Sequence, residues 1–97
     1  MARPCKRRRL SGITRDEVYK PAGVALSELQ QVALQPDELE ALRLADLEGH
    51  TQADAADMMG ISRSTFQRIL QRARRQVVLA LVERQALRLL AVEKDRD

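Results

Sequence analysis

Five arginines, Arg63, Arg68, Arg72, Arg74 and Arg75, fall within residues 61–75, a stretch without an acid, and Ser62, Ser64, Gln67 and Gln71 are set among them. These side-chain types hydrogen-bond to nucleic acid. A guanidinium offers two parallel donors to guanine, a carboxamide can pair with adenine, and hydroxyls or further guanidinia bond phosphate oxygens. The spacing sorts the residues. If Phe66, Ile69, Leu70 and Ala73 face a core, then Ser62, Arg63, Ser64, Gln67, Arg68 and Gln71 occupy the opposite side of the same helix and become candidates for base edges in a major groove. Arg72, Arg74 and Arg75 lie further on and suit the sugar-phosphate chain. Thr51 and Gln52, at the entrance of the preceding helix, are placed for the same use. The run Lys6-Arg7-Arg8-Arg9 can add backbone contacts or enter a minor groove.

Other chemistries lack raw material. Cys5 is the sole cysteine and His50 the sole histidine, so neither an intrachain disulfide nor a Cys/His zinc cluster can be assembled, and no cofactor is expected. No Ser/His/Asp arrangement forms around His50, which reads as a surface or capping residue. No glycine loop is shaped to cradle phosphate. The acids of segment 37–57 fall within helical patterns and read as solvated faces, so none is assigned general acid or base work. The chain is not expected to be an enzyme.

The elements that must hold these residues follow from punctuation and period. Pro36 suits a helix start, and Asp37, Glu38 and Glu40 suit its positive end. Leu39, Leu42 and Ala45, flanked by Leu44 and Leu47, then give an apolar stripe that Gly49 ends. Thr51 can cap a second helix from Gln52, with Asp54 as its capping-box carboxylate. That helix runs through Ala53, Ala55, Ala56, Met58 and Met59 to Gly60. Glycine accepts the left-handed dihedrals of a tight turn. Ala56 leaves room for a crossing helix, Ile61 closes the turn and Ser62 caps the third helix. The recurrence of Phe66, Ile69, Leu70, Ala73, Val77 and Leu81 predicts that this helix is long, reaching about residue 83. The expected fold is all-α: a helix-turn-helix of the wing-free kind with a long C-terminal helix.

The chain has 97 residues, 44% of them hydrophobic and 2% aromatic, which fits one domain with a core of aliphatic side chains. Its net charge of +3 hides strong segregation: segments 1–15, 16–60, 61–75 and 76–97 carry +6, −8, +5 and 0. Two basic stretches suit a polyanion. Residues 1–12 read as a basic arm, 13–35 as an extended segment with a short helix capped by Ser27 and anchored by Leu26 and Leu29, 36–92 as the DNA-binding domain with its extension for dimerisation, and 93–97 as a polar tail. The period of 86–92 fits strand and helix alike. No apolar run is long enough to span a membrane and no secretory signal is evident, so a cytoplasmic protein is expected.

Val77, Val78, Leu81 and Val82 come late in the long helix and invite burial, against Leu26 and Leu29 or against a symmetric partner. A homodimer is expected, because one unit of this size reads few base pairs. The function expected is sequence-specific binding of double-stranded DNA by a transcriptional regulator, with helix 63–71 in the major groove. The alternative is a protein–protein interaction module or adaptor without sequence readout. RNA fits less well, since Tyr19 and Phe66 are the only aromatics and Phe66 belongs to the core pattern.

These residues resemble a known group. Arg3-Pro4 with the basic run, Tyr19-Lys20-Pro21-Ala22-Gly23, Leu26-Ser27-Glu28-Leu29, the run Asp37-Glu38-Leu39-Glu40-Ala41-Leu42-Arg43-Leu44-Ala45-Asp46, Thr51-Gln52, Ala55-Ala56, Met59 to Phe66 and Ala73-Arg74-Arg75 are similar to uncharacterised protein family 0251, small bacterial and archaeal proteins predicted to bind DNA. Residues 36–76 are also similar to the promoter-reading region four of bacterial sigma factors. That resemblance implies a major-groove role for Ser62 to Gln71 but supplies none of a sigma factor's polymerase contacts. Some relatives carry a glycine late in the long helix, where this chain has Arg84 and Gln85, so the start of its last element stays open.

Overall fold

A computed structural model describes residues 16–91. The arm of residues 1–12, with Lys6, Arg7, Arg8 and Arg9, and the 93–97 tail lie outside the described residues.

The segment before Pro36 supplies two strands. β1 (Glu17–Tyr19) leads through a turn at Gly23, whose φ is +81°, to a single 3-10 turn at Leu26–Glu28, and β2 (Gln31–Leu34) comes directly after it. The short helix expected to be capped by Ser27 is therefore only that tight turn, with Leu29 already extended at φ −112° and ψ 143°. Alternate burial explains why Gln31–Leu34 is a strand: Val32 and Leu34 are buried and Gln31 is exposed. Period-two burial of branched aliphatics fits a sheet with one covered face.

Three helices come next. α1 (Pro36–Leu42) has Pro36 at its first position. Its cap is Gln35, whose side chain accepts from the amide of Glu38, while Glu38 Oε1 accepts from the amide of Gln35 at 2.9 Å. Residues Arg43–Leu47 continue α1 with a wider winding, in which the Glu48 amide reaches back five residues to Arg43. The apolar face differs from the one expected, and the difference begins within α1 itself. Ala41 and Leu44 enter the core, whereas Leu39 and Leu47 are 42% and 80% exposed. α2 (Gln52–Met59) begins as the sequence predicts, with Thr51 Oγ1 accepting from the Asp54 amide at 3.1 Å.

Gly60 ends α2 at φ +72°, and Ile61 donates its amide to the Ala56 carbonyl at 3.0 Å. The left-handed residue and the six-to-one bond satisfy carbonyls that a helix end otherwise leaves bare. Ser62 then caps α3 (Arg63–Val82), accepting from the Thr65 amide at 3.1 Å. Phe66 and Leu70 are fully buried and pack with Ala41, Leu44, Ala55 and Ala56. α3 ends in the same kind of motif as α2: Arg84 has φ +54° and Gln85 donates to the Ala80 carbonyl at 2.9 Å.

The last element, whose type the period of 86–92 left open, is a strand, β3 (Ala86–Leu89). It lies between the other two, antiparallel to β1 with Val18 opposite Arg88 and parallel to β2 with Val32 opposite Leu87. The fold is thus mostly helical with a three-stranded sheet, which corrects the expectation of an all-α chain. The physical reason is that no strand here can exist alone. Each strand gains its hydrogen bonds from a partner more than fifty residues away, and parallel pairing needs a long crossover, here the three helices. The sheet packs on α3, where the Gln76 amide donates to the Ala33 carbonyl at 3.3 Å. Val32, Leu34, Ala80 and Ala86 are buried there.

Candidate nucleic-acid interface

The predicted base-contact set is spread over the exposed surface of α3. Ser64, Gln67, Arg68 and Gln71 lie away from Phe66 and Leu70, whereas Arg63, three and seven residues before those two, shares their stripe and is exposed in the first turn, not on the opposite face as expected. Arg63, Ser64, Gln67, Arg68 and Gln71 are all exposed, and all lie on the N-terminal half of the helix. The α2–turn–α3 corner fixes this orientation. Ala55, Ala56, Phe66 and Leu70 leave no slack, since each is between 0% and 2% exposed. A rotation of α3 that hid Gln67 or Arg68 would bring Phe66 into water. Burying a phenylalanine side chain stabilises by about 1.5–3 kcal/mol, so that rotation is unfavourable.

Ser62 is exposed but already engaged. Its hydroxyl accepts from the Thr65 amide and donates to Thr65 Oγ1 at 2.8 Å, and it lies 3.3 Å from Ser64 Oγ. It thus fixes the entrance of α3. The first amides of α3 point the same way, where the helix dipole favours an anion. Thr51 is likewise held by its capping bond, and Gln52 is half-buried at the start of α2.

Arg68, Gln71, Arg72, Arg74 and Arg75 come together around one open concavity on α3. The arginines are not equivalent. Arg72 Nε donates to Glu38 Oε2 at 2.6 Å, and Arg74 grips Asp46 with two bonds of 3.0 and 2.7 Å. That bidentate contact holds the Asp46 carboxyl below the usual carboxylate range and pushes the Arg74 guanidinium up. Arg63, Arg68 and Arg75 have no ion-pair partner among the described residues. Free positive charge is therefore concentrated along the exposed stripe, and the two paired arginines also tie α3 to α1.

Sequence reasoning missed Glu38 and Asp46 as the carboxylates that hold Arg72 and Arg74. Glu38 is buried, with 4% of its surface exposed, which corrects its reading as part of a solvated face. Its carboxylate spans the cap of α1 and the Arg72 side chain, and these bonds compensate its burial. The signal available was its position three residues after Gln35, a capping-box spacing with glutamine as the cap. Asp46 meets Arg74 across 28 residues and carries no local signal. On the far side of α1, Arg43 pairs with Glu40 and Glu48, which lowers the Glu40 carboxyl below its ordinary value. His50 Nε2 lies 3.1 Å from Glu48 Oε1. Among the described residues no group of acids, cysteines and histidines could hold a metal ion, and no helix is long and apolar enough to cross a membrane.

The model of the family described as protein of unknown function DUF134 matches residues 1–96. A UPF0251 protein of Vibrio parahaemolyticus is 54% identical over 87 residues, covering 90% of this chain and 91% of that protein. One from Desulforudis audaxviator is 53% identical over 88 residues, 91% of this chain but 58% of its own length, so that relative is considerably longer. One from Shewanella halifaxensis is 48% identical over 96 residues, 98% of this chain and 100% of that protein. No solved structure matches the chain significantly.

Proposed function

This chain belongs to the DUF134 family, and we propose that it binds double-stranded DNA sequence-specifically, as a regulator of transcription that reads the major groove with the N-terminal half of α3. The observation that carries this reading is the pairing of a buried and an exposed surface on one rigid helix. Phe66 and Leu70 are fully buried on one side while Gln67, Arg68 and Gln71 stay exposed around the rest of the helix, and Arg63, on the stripe of Phe66 and Leu70, is exposed in the first turn. A tight glycine turn, two capped helices and an exposed second helix make up a helix-turn-helix, and such units present the start of their second helix to base edges. In this reading Arg63, Ser64, Gln67, Arg68 and Gln71 meet bases, with Ser62 holding the entrance. Arg75 and the first amides of α2 and α3 meet phosphate. Arg72 and Arg74 face the same concavity from their ion pairs, and Lys6, Arg7, Arg8 and Arg9 extend the footprint.

Selection of bound duplexes from a random pool, and then titration of a selected duplex and a scrambled one at several salt concentrations, tests this reading. The selected duplex should bind more tightly at every salt concentration. Affinity for both should fall steeply as salt rises, because each phosphate neutralised releases condensed counterions. Failure to enrich any sequence, together with salt-insensitive or undetectable binding, would leave the protein-interaction module in its place.

A further inference from the structure

The C-terminal half of α3 carries a stripe of different character. Arg75, Val78, Leu79, Val82 and Glu83 line one shallow hollow, and Val78, Leu79 and Val82 are 55%, 38% and 60% exposed. Steps of three and four residues keep them on one side of the helix. Ala73 and Ala80, which are buried, lie on the other. The two ends of the stripe have opposite charge, and Arg75 and Glu83 each stand four residues from Leu79. Neither has an ion-pair partner among the described residues. Within one chain they cannot meet, being about 12 Å apart along the axis.

A stripe that is basic at one end, acidic at the other and apolar between is complementary to itself reversed. We propose that it is the contact between two copies of this chain, with the two α3 helices antiparallel about a two-fold axis at Leu79. Leu79 then packs on Leu79 of the second copy, Val78 and Val82 close over it, and Arg75 of each copy meets Glu83 of the other. Isologous contacts of this kind use one patch twice, so each favourable pair occurs in duplicate. The self-complementary charge selects a second copy over an unrelated helix, which would need the same charge order by coincidence. The contact is short beside the roughly 1,000 Å² expected of a stable interface, so the dimer is a weak one that forms at micromolar concentrations and above. The inference does not rest on DNA binding and is read without DNA.

Sedimentation equilibrium of the full chain from about 10 μM to about 1 mM tests it. The unsubstituted chain should show a concentration-dependent dimer. Arg75→Glu and Glu83→Arg each place like charges opposite one another and should weaken it about tenfold or more. The double variant restores both pairs in reversed order and should return to within about threefold of the original. Far-ultraviolet circular dichroism of each variant checks that the fold is kept. A monomer at every concentration, single variants that dimerise like the parent, or a double variant as weak as the singles would overturn the proposal. Arg75→Glu also removes a charge assigned above to phosphate, so dimerisation is read without duplex, and Glu83→Arg, which leaves every proposed duplex contact in place, keeps the two readings distinguishable.

Discussion

At the scale of single residues, side chains of one type have different tasks according to what holds them. Arg63 has no ion-pair partner among the described residues and sits at the entrance of α3, where a bidentate contact to guanine is worth about 1–3 kcal/mol of discrimination. Arg63→Ala should therefore lower affinity for a selected duplex by that amount while changing a scrambled duplex much less. Equal losses on both would move Arg63 to phosphate. Arg74 is the contrasting case, because its bond to Asp46 ties α3 to the wide turn after α1. The Asp46 carboxyl is depressed in the folded chain, so its contribution to stability is complete above the unfolded carboxylate pKa of about 3.9. It is lost as pH falls through the lower folded value. Asp46→Asn should thus reduce the melting temperature at neutral pH and make little difference in strong acid. Parallel melting curves for parent and variant across that acid range, with a constant offset, would refute the assignment. Of this pair only Arg74 stood out in the sequence, as one of a basic cluster, because nothing local connects residue 46 to residue 74.

At the scale of elements, the two glycine-type turns provide a matched comparison. Gly60 and Arg84 both occupy left-handed backbone after a helix, at φ +72° and +54°. A Cβ at Gly60 would meet nothing within 4 Å, so Gly60→Ala is resisted by torsion alone and should destabilise by about 1–2 kcal/mol. Arg84→Gly reverses the change. It relieves a similar torsional strain but frees the unfolded chain, and the balance should be a gain of about 0.5 kcal/mol. Opposite signs for the two variants in chemical denaturation would bear this out, whereas a loss on Arg84→Gly would show that its side chain contributes more than its backbone costs. The corner at Gly60 was legible because every signal for it is local: a cap, a glycine, an apolar residue and a second cap within about a dozen residues. The corner at Arg84 was not, because the residue type that marks it is missing. The wide winding at Arg43–Leu47 escaped for another reason, since Leu39, Leu42, Leu44 and Leu47 satisfy a helical stripe without indicating which of them turns inward.

At the scale of the whole molecule, the question is whether the sheet is an appendage or part of the same cooperative unit as the helical corner. Two buried groups flank α3: Phe66 and Leu70 with the residues of α1 and α2, and Val32 and Leu34 with Ala80 and Ala86. Both draw on one continuous helix. Ala73 is fully buried between them along the chain, and Gln76 bonds the sheet backbone at Ala33. The sheet escaped sequence reading because its register joins Glu17 to Leu89 and Gln31 to Ala86, contacts that no window of neighbouring residues contains. For the same reason, β3 pairs with both other strands and closes the chain around the helices. If α3 transmits the packing of each group to the other, the chain unfolds as one. Tyr19, the sole tyrosine in a chain without tryptophan, reports on β1, while far-ultraviolet circular dichroism reports mainly on the helices. Their denaturation midpoints should coincide in the parent. They should also move together in Leu34→Ala, at a cost of about 2–5 kcal/mol, and in Phe66→Ala, at about 3–5 kcal/mol. An early tyrosine transition in Leu34→Ala, with the helical signal left at the parental midpoint, would show the sheet to be a separable layer. α3 would then owe its orientation to the α2–α3 corner alone, and the proposed duplex binding should survive loss of the sheet.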